Sequence, residues 1–82
     1  MSDSSNGRRR IAGLNQFLKN VRKGNAVRVF LASDADAYFA ETVKNELRGK
    51  NGIELETRYD SDDLATMAGV DVPTAVLTEV EG

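Results

Sequence analysis

Apolar residues recur at helical spacing in residues 13–24, GLNQFLKNVRKG. Leu14, Phe17, Leu18 and Val21 stand at i, i+3, i+4 and i+7, the stripe by which an amphipathic helix packs on a core. Asn15, Gln16, Lys19, Arg22 and Lys23 take the opposite side. Lys23, Gly24 and Asn25 form the stop, with cations at the negative end of the helix dipole and a glycine suited to a left-handed cap. The period then changes. Residues 27–33 (VRVFLAS) are nearly all apolar and predict a central strand buried on both faces. Helical spacing returns at 37–48, with Ala40, Val43 and Leu47 inward, Asp34 or Asp36 placed to cap the first amides, and GKNG at 49–52 to end the helix. Residues 53–59 (IELETRY) alternate, Ile53, Leu55, Thr57 and Tyr59 against Glu54, Glu56 and Arg58, and predict a strand with one wet face. A short third helix starts at 60–63 (DSDD), turns Leu64, Met67 and Ala68 inward and closes at Gly69. Residues 70–73 (VDVP) form a loop with the only proline of the chain, and 74–80 (TAVLTEV) form the last strand. Residues 8–12 are ambiguous, compatible with a brief strand leading into the first helix.

Strands alternating with helices predict an α/β layered fold with helices on both faces of a central sheet. The 82 residues make one domain, placed at 8–82. The polar residues 1–7 are expected to be a disordered tail.

Composition narrows the chemistry. The chain has no cysteine and no histidine, which removes a disulfide framework, thiolate metal sites and the commonest general base. A non-enzymatic protein without cofactor is expected. Asp60, Asp62 and Asp63 do not make an EF-hand, because Leu64 and Ala65 fall where that loop needs an oxygen ligand and a glycine. No apolar run approaches the length of a membrane span, and a cytoplasmic protein is expected. Nothing in the sequence calls for an oligomer.

The net charge of −2 hides an uneven distribution. Residues 1–28 carry seven cations (Arg8, Arg9, Arg10, Lys19, Arg22, Lys23 and Arg28) against one acid; residues 29–82 carry four cations against twelve acids. Such asymmetry hints at a polyanion met at the basic end. On the first helix, the amides of Asn15 and Gln16 can read base edges while the cations neutralise phosphates. Gly13, at its start, would let a partner's backbone come close. The arginines at 8–10 read as a solvated edge that extends this cationic surface.

Three segments, in order and at matching spacing, resemble a known group. Gly13-Leu14-Asn15-Gln16-Phe17-Leu18-Lys19 follows the pattern G-x-[NK]-[EQ]-x-x-K. Residues 29–37, VFLASDADA, resemble an apolar strand followed by A-x-D-A-[DE]-P. Residues 68–73, AGVDVP, resemble [CA]-G-I-E-V-P. The chain is thereby similar, over about residues 9–81, to the kink-turn RNA-binding ribosomal protein family, the superfamily of the archaeal large-subunit protein seven-Ae and the eukaryotic thirty-e, with short bacterial members of the YbxF type.

The resemblance implies a three-layer α/β/α sandwich around a mixed sheet of about four strands. It also implies a partner: structured RNA, of ribosomal type, containing a kink-turn, a helix bent sharply at a bulge beside tandem sheared G·A pairs. On that reading Asn15 and Gln16 contact the G·A pairs, and Lys19 contacts guanine or nearby backbone. Arg22 and Lys23 meet phosphates. Val70, Asp71, Val72 and Pro73 cover the bulged nucleotides, and Asp36 lines a pocket for an extruded base, unless it only caps its helix. The chain departs from the pattern at Ser61, where the family usually has a lysine, flanked here by Asp60, Asp62 and Asp63. Ala37 replaces a usual proline, and Phe17 a usual small or β-branched residue. The acids motivate an alternative: a protein-interaction module of the same fold with weak or lost RNA binding.

Overall fold

A computed structural model describes residues 8–81; the tail expected at residues 1–7 lies outside the described residues. The chain runs β1 (Arg8–Ala12), α1 (Leu14–Lys23), β2 (Ala26–Leu31), α2 (Ala37–Leu47), β3 (Glu54–Glu56), α3 (Ser61–Ala68) and β4 (Val76–Glu81). The strands form one sheet in the order β1-β4-β2-β3. β4 is antiparallel to both its neighbours, and β2 and β3 are parallel, so the sheet is mixed.

Alternation along β2 builds two cores from one strand. Val29 and Leu31 join Phe17 and Val21 of α1, Val43 of α2 and Val76 of β4. Phe30 and Ala32 point the other way, to Leu64 of α3 and Leu77 of β4. Helices α1 and α2 therefore cover one face and α3 the other. This is the α/β/α sandwich expected from the sequence, with β2 buried on both faces as VRVFLAS predicted.

The ambiguous residues 8–12 do form a strand. β1 pairs with β4 in a register that sets Arg10 opposite Glu79, and the Arg10 Nε lies 3.3 Å from a Glu79 carboxylate oxygen. Opposite charges across a strand pair favour one register over its neighbours.

β3 departs from expectation. Instead of seven alternating residues, only Glu54–Glu56 pair with β2. Ile53 packs in the layer of α1 and α2, Tyr59 in the layer of α3, and Leu55 is 39 % exposed. Two residues an even number of positions apart cannot reach opposite faces along one regular strand. The chain leaves the sheet after Glu56 because it must cross to the other layer to start α3. The Tyr59 carbonyl then accepts from the Ser33 N–H at 2.8 Å, and Tyr59 rests against Phe30 with ring centres 6.0 Å apart.

One core group is unsatisfied. Thr78, fully buried in β4, has no hydrogen-bond partner for its Oγ1 among the described residues. A hydroxyl stripped of water without compensation is destabilising, and valine has the same shape. Thr78→Val is expected to stabilise the protein by about 1 kcal/mol, read as a raised urea midpoint at unchanged slope; a lowered midpoint would mean that the hydroxyl is bonded.

Candidate nucleic-acid interface

The first turn of α1 is open. Gly13 precedes it at φ 106°, ψ 153°, and no side chain caps the helix and no acid lies in its first turn. Only glycine occupies that conformation without strain. The Gly13 N–H donates to the Val76 carbonyl at 3.1 Å, which pins the β1–α1 turn to the start of β4. The amides of Leu14, Asn15 and Gln16 thus stand at the positive end of the helix dipole, where an anion is favoured.

Beside this turn lies a cleft of about 270 Å³. Ala12, Gly13 and Leu14 form one wall, Phe39 of α2 another, and Val70, Val72, Pro73, Thr74, Ala75 and Val76 the third. The connector 70–75 is held by the Thr74 N–H donating to the Ser61 carbonyl at 3.1 Å and the Ala32 N–H donating to the Ala75 carbonyl at 2.9 Å. The cleft is apolar and its lips are exposed: Val72 is 64 % and Val70 39 % accessible, and Tyr38, next to Phe39, is 84 % accessible. The fold therefore brings the Gly13 end of α1 and three residues of the 70–73 loop to one site. Asp71 is exposed on the same loop but does not line the cleft.

Asn15, Gln16, Lys19 and Lys23 are exposed on the outer face of α1. Arg22 is exposed on the same helix, and its guanidinium is already engaged. Its guanidinium forms a fork with Glu46 of α2, Nε and Nη2 at 3.1 and 3.2 Å from the two carboxylate oxygens. Hydrogen bonding and then charge attraction from Glu46 raise the Arg22 pKa, and the same bonds hold the Glu46 carboxyl below its usual value. Arg22 fastens α1 to α2, and a phosphate would have to compete with this carboxylate.

Asp36 takes the helix-capping role. Its Oδ1 accepts from the Phe39 N–H at 2.8 Å, and it is not among the cleft residues. Phe39 is the wall in its place. The sequence reading missed Phe39 because Ala40, Val43 and Leu47 already made a stripe; the signal was the i, i+4 spacing of Phe39 and Val43.

The acids near α3 are partly explained by its start. Asp60 and Asp63 make a reciprocal capping box, with the Asp63 N–H 2.9 Å from Asp60 Oδ1 and the Asp60 N–H 3.4 Å from Asp63 Oδ2. Asp34 reaches over from the β2–α2 loop to accept from both the hydroxyl and the N–H of Ser61, at 2.8 and 2.9 Å. Those bonds hold the Asp34 carboxyl below the ordinary carboxylate range. Ser61, standing where the resemblance expects a lysine, is thus a partner of Asp34.

The chain matches no protein-family model and no curated protein sequence. Solved structures do match. A protein of unknown function from Bacillus halodurans is similar with TM-score 0.75 and 22 % identity, over 90 % of this chain and 72 % of that one. The Giardia lamblia 15.5kD RNA binding protein is similar with TM-score 0.67 and 24 % identity, over 90 % of this chain and 62 % of that one. At these identities the likeness establishes a shared fold, the mixed sheet between two helical layers described above.

Proposed function

We propose that the protein binds structured RNA, recognising and stabilising a kink-turn, in the cytoplasm and on RNA of ribosomal type. It acts as a monomer and without catalysis. The observation that carries this reading is the cleft itself, which joins the open end of α1 to the 70–73 loop. Asn15 and Gln16 stand in the first turn of α1, at the cleft end, and Lys19 one turn further along, so one ligand can meet amides, a cation and the exposed apolar lips. A bent RNA supplies the complement: open base edges for Asn15 and Gln16, phosphates for Lys19 and Lys23, and unstacked bases for Val70, Val72 and Pro73. Two of the three sequence segments that resemble the kink-turn family, 13–19 and 68–73, meet at this site, and the Giardia structure that shares the fold is of an RNA-binding protein.

The mechanism is selection. A protein that contacts both arms and the bulge binds the bent conformer better than the straight one, and shifts the RNA towards the bend by that difference in affinity. The test is a titration of a kink-turn duplex against a straight duplex of the same base composition. At least a tenfold preference for the bent RNA, about 1.4 kcal/mol, is expected. Equal affinities would reject specific recognition and favour the protein-interaction module suggested by the acids at 60–63.

A further inference from the structure

The fold sorts the cations of the first 28 residues by face. Along β1, successive side chains point to opposite sides of the sheet. Arg10 faces the α3 layer, where it meets Glu79 and its guanidinium carbon lies 5.7 Å from the centre of the Phe30 ring. Arg9 therefore faces the α1 side, paired in register with Val80.

The two sides differ in how charge is answered. On the α3 side Arg10 has Glu79, and at the sheet edge Arg28 has Glu54 at 2.6 Å and Arg58 has Glu56 at 3.2 Å. On the α1 side Arg22 has Glu46. Arg9, Lys19 and Lys23 are exposed and form no ion pair among the described residues. Helix α1 contains no acid, and the β4 residues on the face towards α1, Val76, Thr78 and Val80, are uncharged.

The backbone register places Arg9 relative to α1. At its start, α1 is tied to β4 by the bond from Gly13 to Val76; at its end, the Asn25 carbonyl accepts from the Glu81 N–H at 3.1 Å. Glu81 pairs with Arg8 and Val80 with Arg9. Helix α1 thus runs the length of β4, and Arg9 lies level with its last turn, which carries Lys23, with Lys19 one turn nearer the cleft. The helix is about 15 Å long.

We infer that Arg9, Lys19 and Lys23 form a phosphate-binding track for one helical arm of the RNA, running away from the bend. The inference rests on the RNA reading above. It adds a residue on β1, outside the three resembling motifs, and assigns the far end of α1 to backbone contact, since the amides there are turned to the protein: Asn20 is buried and donates to the Gln16 carbonyl, and Asn25 donates to Asn20. Recognition is then divided. The cleft end reads the irregular nucleotides; the far end holds a regular stem without regard to its sequence.

The experiment measures the affinity of the wild-type protein, Arg9→Gln and Arg9→Lys over a series of salt concentrations. Three kink-turn RNAs are used: one with two long stems, and two in which one stem or the other is cut to about three base pairs and closed by a loop. Arg9→Gln is expected to reduce the slope of log affinity against log salt by about one on the long RNA, and Arg9→Lys to restore it. Shortening one stem, and only one, should lower the wild-type slope and abolish the difference between wild type and Arg9→Gln. An unchanged slope in Arg9→Gln, or a drop that persists on both shortened RNAs, overturns the track while leaving the RNA reading intact. Failure of that reading shows separately, as wild-type protein that binds bent and straight RNA alike.

Discussion

Phe17→Ala should cost about 3–5 kcal/mol, the range for removing a buried aromatic ring from a packed core. Phe17 is wholly buried between α1 and the sheet, in one cluster with Val21, Val29, Leu31, Val43 and Val76. A domain of this size has roughly 4–12 kcal/mol of stability in total, so at least about a quarter of it would go. The melting temperature should fall by roughly 15–30 °C. The loss reaches function through the same contacts: Phe17 holds the inner face of the helix whose outer face carries Asn15, Gln16 and Lys19. Weakened seating of α1 loosens those side chains relative to the 70–73 loop, and RNA affinity should drop even at temperatures where the variant remains folded. A cost under 1 kcal/mol would show that α1 is not packed on the sheet as described. Phe17 departs from the small or β-branched residue usual in the resembling pattern, and the structure shows it wholly buried in the core.

Gly13→Val is expected to cost about 3 kcal/mol, the upper end for forcing a side chain into a strained backbone region. The backbone at Gly13 stands at φ 106°, ψ 153°, and it cannot easily relax. Its N–H is bonded to the Val76 carbonyl and its carbonyl accepts from the Phe17 N–H, both at 3.1 Å. A Cβ there would meet nothing within 4 Å, so the penalty is conformational and owes nothing to a clash in the free protein. That open space is also the approach to the cleft. A valine should therefore reduce RNA affinity beyond what the loss of folded population explains, measured well below the melting temperature of the variant. Full affinity in a folded Gly13→Val protein would move the RNA away from the start of α1.

Local periodicity carried the element order and the two-sided burial of β2, because helical and strand spacing are properties of neighbouring residues. Residue type at the helix ends carried most of the caps: the acids at 60–63 begin α3, and Gly24 and Gly69 end α1 and α3, while of Asp34 and Asp36, both open as the cap of α2, the structure uses Asp36. The motif at 13–19 and the loop at 70–73 were legible separately. That they share one cleft was implied by resemblance alone, and it is the sheet order, with β4 next to β1, that puts them together.

The sequence by itself determined which residues are apolar, where each helix can start and stop, and that cations gather in the first third of the chain. The tertiary structure decided which of those cations are answered. Arg22 meets Glu46 only because α1 and α2 pack side by side, 24 residues apart in the chain, and Arg9 and Arg10 part company only because β1 lies in a sheet with different layers above and below. It decided too that β3 ends after three residues, since a chain bound for the opposite layer must leave the sheet wherever its next helix requires. Spacing along a chain fixes which face a residue takes within its own element; what faces it across the gap depends on contacts between distant segments, and these the local pattern does not contain.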